Sequence, residues 1–433
     1  MDGHRFPIPG CGGHGSQTLT LGFDPALLQA IADRVGTPAY VYSTNLIRAQ
    51  YHALADALHG IRHRICYSVK ANGNLGVLRV LQQLGAGADI VSVGELRRVR
   101  AAGFDPDGIV FSGVGKTHAE IEEAIRAGVG FINIESTSEL AAVVAVANDV
   151  KLTARVGIRA NPDVATETPH PYTKTGEKTT KFGVPFDEVV NVARRIAAEP
   201  RLVLRGLAMH IGSQITDVAP YHRGTVKLIE LVTAIRAAGI DTLEALDVGG
   251  GLGVRYHNEK APSPKAFADA VVPSVKAANL GLLCEPGRYL VANAGVLLTR
   301  VLYRKHAGGK EFVIVDAGMN DFVRPSHYNA HHDILPLRDG KREQETVSVV
   351  GPICESGDFL ALDRKLPSVT PGEVLAVLGT GAYGFVMSST YNQRPRPPEV
   401  VVDGDRYYVA RQRETLDDLV RGETAEPTTW YRA

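Results

Sequence analysis

The strongest constraint on the fold is a repeated alternation of short apolar segments with helix-like segments. The apolar, strand-like segments lie at residues 65–69, 90–91, 109–111, 131–134, 152–158, 204–209, 246–248 and 282–284. Segments with helical spacing, such as GELRRVRAAG, HAEIEEAIRAG and FADAVVPSVKAAN, separate most of them. Eight strand–helix units over about 215 residues predict a (β/α)8 barrel, with a doubly wound open sheet as the alternative.

A different pattern begins after about residue 291. Short β-branched segments such as FVIVDAG, ETVSVVG and EVLAVLG are separated by Gly, Pro and Asp turns, which predicts a mainly antiparallel β domain. Before the barrel, apolar spacing predicts a helix over 25–35, and PAYVYS at 38–43 predicts a strand ending in a serine suited to helix capping. Residues 1–22, rich in Gly, Pro and His, predict a flexible leader.

Composition excludes several classes of partner. The chain has 47 Lys and Arg residues against 47 Asp and Glu residues, so no global charge attracts nucleic acid or an anionic membrane. No apolar run approaches the roughly 18 residues of a membrane span, and MDGHRFPIPG lacks the order of a signal peptide. The four cysteines are scattered without a CxxC pair. We therefore expect a cytoplasmic protein with reduced thiols.

Lys70 lies where an apolar strand gives way to a Gly/Asn turn, in the segment CYSVKANGN at 66–74. An unprotonated lysine at a strand end can form a Schiff base with an aldehyde such as pyridoxal phosphate. Because the reference pKa of lysine is about 10.4, we expect partial burial to help remove its proton. A solvated lysine just past a strand is the alternative for this segment taken alone.

Further segments carry candidate functional groups at or after predicted strands. These are AMHIGSQ at 208–214, LDVGGGLG at 246–253, CEPGRYL at 284–290, CESGD at 354–358 and GAYG at 381–384. The three consecutive glycines either let backbone amides approach a phosphate or form a tight turn, and they lack the GxGxxG spacing of a dinucleotide site. Taken singly, the histidine, the Glu-Pro-Gly-Arg turn and the cysteine each have a structural interpretation as well.

Together with the lysine segment, the order of these motifs resembles the fold type III pyridoxal-phosphate decarboxylases, and specifically the diaminopimelate decarboxylases. The resemblance covers about residues 37–415. It implies an alanine racemase-like architecture with a cofactor-binding barrel at 44–290. Residues 23–43 would join 291–433 in a β-sandwich or β-barrel domain with a C-terminal tail, after a leader at 1–22.

The resemblance implies pyridoxal 5'-phosphate as cofactor and assigns residues to it. Lys70 would carry the cofactor as a Schiff base, His210 would stack on its ring, and Glu285 would face the pyridine nitrogen. The other implied cofactor contacts are Ser213, Gly249, Gly250, Gly251, Pro286, Gly287, Arg288 and Tyr383.

The implied reaction is decarboxylation of meso-2,6-diaminoheptanedioate to L-lysine, the last step of lysine biosynthesis. Cys354 would donate a proton to the carbon that loses carboxylate, which completes a catalytic set with Lys70 and His210. The implied substrate contacts are Arg288, Arg324, Tyr328, Glu355 and Tyr383. Arg324 offers a fork for a carboxylate, and Glu355 offers an acceptor for the distal ammonium. The family also implies a homodimer in which Cys354 and Glu355 reach the partner's cofactor.

Residues 160–185 are too polar and too rich in Pro and Gly for a core element, and they resemble the family's mobile active-site loop, a lid that excludes water. Val93, Thr180 and His327 differ from residues common in the family, and these differences bear on loop detail and substrate preference. His327 and His331, at i and i+4, have a spacing that could bind metal on a helix, but the family match explains the segment without one and no metal is expected.

Two other functions stay open. One is a paralogous decarboxylase that acts on another amino acid or a carrier-linked substrate. The other is a non-catalytic binding protein that kept the fold, as antizyme inhibitors resemble ornithine decarboxylase. The presence of both Lys70 and Cys354 argues against the second, because a binding protein needs neither.

Overall fold

The computed structural model describes residues 22–164, 180–338, 340, 342–426 and 429. The described chain begins with helix α1 (Pro25–Val35), which Asp24 caps, and with the fully buried strand β1 (Ala39–Ser43). Both match the elements predicted from apolar spacing. Across the described ranges, the helices are too short or too polar to cross a membrane.

Eight parallel strands form a closed ring. They are β2 (His63–Ser68), β3 (Gly87–Ile90), β4 (Ile109–Phe111), β5 (Phe131–Ile134), β6 (Ala154–Asn161), β8 (Leu202–Ala208), β9 (Ala245–Asp247) and β10 (Gly281–Cys284), with a short β7 (Val184–Pro185) beside β6. The ring closes because β6 pairs with β5 as well as with β8, and β10 pairs with β2. The prediction of a (β/α)8 barrel is confirmed, and this closure excludes the open-sheet alternative.

Helices cover the outside of the barrel. They are α2 (Thr44–Ala57), α3 (Leu75–Gln83), α4 (Val93–Ala101), α5 (His118–Ala127), α6 (Thr137–Val150), α7 (Val189–Ala197), α8 (Ala219–Ala237) and α9 (Pro264–Ala277). Their starts follow from local chemistry: Ser43 accepts a hydrogen bond from the Leu46 amide to cap α2, and Thr117 and Glu120 form a capping box at α5. The serine at the end of β1 caps a helix as the sequence predicts.

Strand β3 begins three residues before the predicted segment at 90–91. The sequence signal is weak there because Gly87 and Ala88 contribute little apolar surface. A side chain at Gly87 would not fit, since a Cβ atom would lie 2.4 Å from the carbonyl oxygen of Gly108 and 2.9 Å from the Cys66 sulfur. The barrel therefore uses glycine where neighbouring strands approach closely.

The second domain is built on one nine-stranded mixed sheet. It contains β1 with β11 (Gly295–Ala307), β12 (Lys310–Val315), β13 (Ile334–Pro336), β14 (Gln344–Val350), β15 (Phe359–Pro367), β16 (Val374–Leu378), β17 (Glu399–Asp403) and β18 (Arg406–Arg411). Short helices α10 (Arg288–Val291), α11 (Arg324–Tyr328) and α12 (Leu416–Leu419) lie between or beyond these strands. Most pairings are antiparallel, as predicted, but β1 pairs in parallel with β17 and β12 with β14.

A turn from the second domain lies against the end of strand β2. The Tyr383 amide donates to the carbonyl oxygen of Ala71 at 2.8 Å, and the Asn72 side chain donates to the carbonyl oxygen of Gly381 at 3.0 Å. Glycine is required at 381, because a Cβ atom there would lie 1.9 Å from the carbonyl oxygen of Val291. The two domains therefore meet directly beside Lys70.

The buried carboxylate of Glu399 links three strands of the second sheet, and its loss should destabilise the fold. Glu399 is 1% exposed and accepts hydrogen bonds from the Tyr42 hydroxyl at 2.8 Å and from Arg411 Nε at 2.5 Å. We expect Glu399→Gln to lower the stability by about 3 kcal/mol, the lower end of the range for a buried pair, because Arg411 is partly exposed.

Thermal denaturation measures this difference. The matched control is Asp269→Asn, which breaks an exposed pair with Lys265 and should cost about 0–1 kcal/mol. Equal melting temperatures for the two variants would contradict a stabilising role for the Glu399 network.

Candidate active site

A cavity of about 690 Å³ opens at the carboxyl end of the barrel, between the barrel and the second domain. Its volume suits a small-molecule ligand. The sequence-proposed residues that line it are Lys70, His210, Ser213, Gly251, Glu285, Gly287, Arg288, Arg324, Tyr328 and Tyr383. The structure therefore brings together residues from six separate segments of the chain.

Lys70 reaches the cavity from a short 3-10 helix at the end of β2, and its side chain is 35% exposed. Its Nζ donates to Asp89 Oδ2 at 2.6 Å and to Ser68 Oγ at 3.4 Å. Asp89, at the end of β3, is completely buried. The neighbouring strand thus supplies the counterion.

Burial alone does not decide the protonation of Lys70. Burial does act to lower the pKa of Lys70, but the carboxylates of Asp89 and Glu285 outweigh it and raise the pKa above its ordinary value. Without a ligand, Lys70 is therefore an ammonium held by Asp89. Sequence reasoning missed Asp89, although an acidic residue at the end of a barrel strand was the available signal.

Two more buried carboxyl groups lie beside this pair. Asp247 is the last residue of β9 and accepts a hydrogen bond from the Gly249 amide at 2.8 Å, while Glu285 follows β10. Burial raises the pKa of Asp247 to about 6 and raises the pKa of Glu285 well above its usual range, and the neighbouring carboxyl adds to the shift of Glu285. The two groups therefore take up protons at a higher pH than ordinary carboxyl groups do.

Several buried oxygens at this end of the cavity lack a hydrogen-bond partner among the described residues. They are Asp89 Oδ1, Asp247 Oδ2 and Glu285 Oε1. The carboxyl groups of Asp247 and Glu285 also hydrogen-bond to each other when one of them carries a proton. Buried polar atoms are normally paired, and an unpaired one costs about 1–3 kcal/mol. This cluster of acceptors is therefore suited to a ligand that brings a proton-bearing nitrogen.

His210 lies just after β8 and lines the same cavity. The Gly250 amide donates to its Nδ1 at 3.2 Å, so Nδ1 is unprotonated and Nε2 carries the hydrogen. Burial and the nearby charges of Arg159 and Lys70 lower the pKa of His210 well below its usual value. The ring is therefore neutral, which suits it to stack on a flat ligand.

The three consecutive glycines do not contribute equally. Gly251 lines the cavity, whereas Gly249 and Gly250 lie behind it with Pro286. A Cβ atom on Gly250 would lie 2.0 Å from the carbonyl oxygen of Glu285, and one on Gly249 would lie 2.2 Å from that of Met209. Close packing of backbone segments therefore requires glycine at both positions.

Two guanidinium groups form the opposite wall. Arg288 donates hydrogen bonds to the Tyr256 hydroxyl at 2.8 Å and to Ser213 Oγ at 3.1 Å. Its Cζ atom lies 4.8 Å from the centroid of the Tyr383 ring. Arg324, at the start of α11, stands 5.3 Å from the Tyr256 centroid and 5.8 Å from the Tyr328 centroid. This wall is suited to bind carboxylate or phosphate groups.

His332, which the sequence analysis did not single out, holds Arg324 in place. Arg324 Nε donates to His332 Nε2 at 3.3 Å, and His332 Nδ1 lies 2.8 Å from the carbonyl oxygen of Leu378. Burial and the charge of Arg324 lower the pKa of His332 well below its usual value, so the ring is neutral. The Nδ1–H then donates to Leu378 and leaves Nε2 free to accept from Arg324.

A smaller cavity of about 180 Å³ shares Lys70, His210 and Glu285 with the main one. Arg159, at the end of β6, lines it and pairs with buried Glu135 at 2.9 Å. Neither Arg159 nor Glu135 was proposed from the sequence, because neither lies in one of the recognised motifs. Lys70 therefore borders two cavities, the main one and this smaller one.

Cys354 and Glu355 are exposed and lie outside both cavities, in the turn between β14 and β15. The Cys354 amide donates a hydrogen bond to Asn392 Oδ1 at 2.7 Å. The structure of one chain therefore does not bring these two residues to Lys70. Of the proposed lid at 160–185, residues 165–179 lie outside the described residues.

Comparisons with known proteins agree with this geometry. Residues 44–292 match the family profile described as pyridoxal-dependent decarboxylase, pyridoxal binding domain. The diaminopimelate decarboxylase of Pseudomonas aeruginosa is 50% identical over 92% of this chain and 96% of its own length, and that of Vibrio cholerae is 47% identical over 92% and 95%.

Solved structures give the same result. The structure of diaminopimelate decarboxylase from Helicobacter pylori complexed with L-lysine has a TM-score of 0.88 and 41% identity, covering 91% of this chain and 98% of that one. A lysine/ornithine decarboxylase from Vibrio vulnificus, at 22% identity and a TM-score of 0.77, shares the fold. The chain belongs to the pyridoxal-dependent decarboxylases, in the family of the diaminopimelate decarboxylases.

Proposed function

We propose that this protein removes carbon dioxide from meso-2,6-diaminoheptanedioate to form L-lysine, with pyridoxal 5'-phosphate as cofactor. The observation that carries the proposal is the charge lining the cavity, where Lys70, paired with buried Asp89, and Glu285 share one space with the guanidinium groups of Arg288 and Arg324. Relatives named diaminopimelate decarboxylase at up to 50% identity support the choice of substrate.

The residues present fit the cofactor. Glu285 lines the cavity, and its Oε1 accepts no hydrogen bond from a donor among the described residues, which suits a protonated pyridine nitrogen. Lys70 would hold the aldehyde carbon and the neutral ring of His210 would lie on the pyridine ring. Gly251, Ser213 and Gly287, with Arg288, would hold the phosphate. When bound, pyridoxal phosphate supplies a conjugated ring that takes up the electron pair left by departing carbon dioxide.

The chain's own residues govern the proton on Lys70. Asp89 holds the Lys70 ammonium at 2.6 Å, and this proton must leave before the amine can act as a nucleophile. The buried carboxyl groups of Asp247 and Glu285 are neighbouring acceptors whose raised pKa values suit them to share protons near neutral pH. Asp89 therefore positions the amine and also sets the pH at which it reacts.

The guanidinium wall accounts for a substrate with a second carboxylate. Arg324 offers two parallel donors to the distal carboxylate, and Tyr328 and Tyr383 border the same space. Diamines or monocarboxylates would leave Arg324 buried without an anionic partner, which is unfavourable. The cavity is therefore suited to an amino acid with carboxylates at both ends.

We propose a homodimer with shared active sites. Cys354 is exposed and remote from the cavity of its own chain, yet the proposed reaction needs a proton donor at the carbon that loses carboxylate. In a homodimer, Cys354 and Glu355 of one subunit would complete the cavity of the other. Cys354 would then donate the proton, and Glu355 would accept the distal ammonium of the substrate.

We make three further proposals, which concern the domain boundaries, a lid and the location of the protein. We divide the chain into a barrel at 44–290 and a second domain at 23–43 with 291–433, supported by the pairing of β1 with β11 and β17. Residues 160–185 would form a lid. A cytoplasmic location is supported by the three described cysteines, Cys66, Cys284 and Cys354, which are free thiols.

Carbon dioxide release by the purified protein with pyridoxal phosphate tests the proposed reaction. We expect release from meso-diaminopimelate and none from lysine, ornithine or arginine. Lys70→Ala should reduce it at least about a thousandfold, because the amine that holds the cofactor is lost. Lys276→Ala, on the exposed side of α9, is the control and should keep full activity. Release only from a different amino acid would indicate a paralogous enzyme, and cofactor binding without any release would indicate a non-catalytic protein.

The second prediction concerns the pKa of Lys70. Asp89 raises this pKa, so Asp89→Asn should lower it, and a larger fraction of the amine is then unprotonated at a given pH. The rate at which cofactor-free protein binds pyridoxal phosphate covalently, followed by absorbance against pH, should reach its midpoint about 1–3 pH units lower. The control Asp217→Asn alters an exposed carboxylate that accepts a hydrogen bond from the Ala219 amide at 3.0 Å. An unchanged midpoint in Asp89→Asn would show that Asp89 does not set the reactivity of Lys70.

The third prediction tests the shared site. Lys70→Ala and Cys354→Ala should each be inactive as homodimers, because each lacks one part of every site. After mixing and subunit exchange in equal amounts, half of the dimers carry one intact site, so roughly a quarter of the wild-type activity should return. No recovery, with subunit exchange verified by mass, would mean that both residues act within one chain.

A further inference from the structure

Two loops from different domains meet at the opening of the main cavity. His257 belongs to the loop between β9 and α9, and His331 and Asp333 belong to the segment between α11 and β13. The imidazole rings of His257 and His331 stack with centroids 3.9 Å apart and an angle of 20° between their planes. His331 Nε2 lies 2.9 Å from Asp333 Oδ1. His257 is exposed, and both histidines line the cavity.

These three side chains bring metal-binding atoms together. One ligand atom from each of His257, His331 and Asp333 lies within 4.8 Å of the others. Among the described residues, no other group of three or more His, Cys, Asp or Glu side chains is close enough to hold a metal ion. Two imidazole nitrogens and one carboxylate oxygen form a donor set typical of zinc and related divalent ions. Three protein ligands with a fourth position open to water are a common arrangement for such ions.

The helical spacing noted in the sequence does not produce this group. Helix α11 ends at Tyr328, and Asn329 adopts a left-handed conformation with φ of 50°, so the chain turns away before His331. His331 consequently faces His257 of the barrel loop. The partner of His331 comes from a distant segment and could not be recognised by spacing.

The backbone around the three side chains is already held in place. Glu259 Oε2 accepts hydrogen bonds from the amides of Tyr256 at 3.1 Å and His257 at 2.7 Å, which fixes the barrel loop. The Leu378 amide donates to the carbonyl oxygen of Asp333 at 2.8 Å, which fixes the other segment. A metal ion would therefore join two ordered segments and would need only side-chain movement.

The movement required is small. Ligands about 2.0–2.2 Å from a tetrahedral ion lie about 3.3–3.6 Å from one another. Atoms that are now up to 4.8 Å apart must therefore approach by at most about 1.5 Å, and the His331 Nε2–Asp333 Oδ1 pair, now 2.9 Å apart, must separate slightly. The terminal torsion of histidine is broad, and turning the exposed His257 ring changes its nitrogen position without disturbing the core. The open side of the cavity leaves room for a water ligand.

We propose that His257, His331 and Asp333 form a binding site for one divalent transition-metal ion of the zinc class at the opening of the cavity. The bound ion tethers the barrel loop to the second domain. Because the site lies on the wall of the cavity that contains Lys70, its occupancy also narrows the path by which small molecules reach that residue. His257, His331 and Asp333 are not among the proposed catalytic residues, and the proposal of a metal site does not depend on the proposed reaction.

Calorimetric titration of the holoenzyme with Zn²⁺, after removal of free cofactor and chelators, tests the proposal. We expect one ion per chain at this site. His257→Gln and His331→Gln should each weaken Zn²⁺ binding at least about tenfold. Removing a residue that only orients a metal ligand already weakens metal binding by about tenfold, and loss of the ligand itself should weaken it at least as much. Bound Zn²⁺ should also raise the melting temperature of the unaltered protein and of neither variant.

Two control variants make the result specific. His306→Gln removes an exposed histidine that contacts Glu311 at 2.6 Å without a third ligand, and it should bind Zn²⁺ like the unaltered protein. Cys354→Ser removes the exposed thiol of the described residues, a soft ligand that competes for Zn²⁺, and should keep the site. Unchanged cofactor absorbance and circular dichroism would show that the variants fold. Absence of binding, or binding that survives both His257→Gln and His331→Gln, would overturn the proposal.

Discussion

The ion pair between Lys70 and Asp89 is the interaction on which the active site depends. Parallel strands in a closed barrel place their carboxyl ends at one edge, so β2 and β3 bring Lys70 and Asp89 within 2.6 Å. Strands β9 and β10 add Asp247 and Glu285 at the same edge. One amine thus lies among three buried carboxyl groups, and burial together with the neighbouring carboxyl groups raises the pKa values of Asp247 and Glu285, which favours a ligand that carries a proton.

The opposite charge comes from both domains. Arg324 of the second domain, held by His332, and Arg288 at the end of the barrel, held by Tyr256 and Ser213, line the same cavity as Lys70 and Glu285. An amino acid that enters this space meets acceptors at one end and donors at the other, which orients it. The same domain contacts the Lys70 segment through the turn that carries Tyr383, so the position of the barrel site depends on both domains.

Much of the fold follows from local patterns, and particular residues show where these patterns end. The predicted segments at 109–111 and 131–134 match β4 and β5, because short runs of buried apolar residues between helices are unambiguous. Strand β3 begins earlier than predicted, because glycine and alanine give little apolar signal. Motifs located Lys70, His210 and Glu285. The position of Asp89 and Asp247 at the ends of barrel strands was an available signal, whereas Tyr256 and His332 acquire their roles only through contacts with Arg288 and Arg324.

The sequence by itself determined the barrel, the change to a β-rich second half and the family, because periodicity, composition and ordered motifs are local properties of the chain. Only the tertiary structure decided the protonation of Lys70, because its pKa depends on the distance to Asp89 and not on burial alone. It also placed Cys354 outside its own cavity and joined His257 to His331 and Asp333. Electrostatic and ligand-binding properties arise from contacts between segments far apart in sequence, and such contacts exist only after the chain has folded.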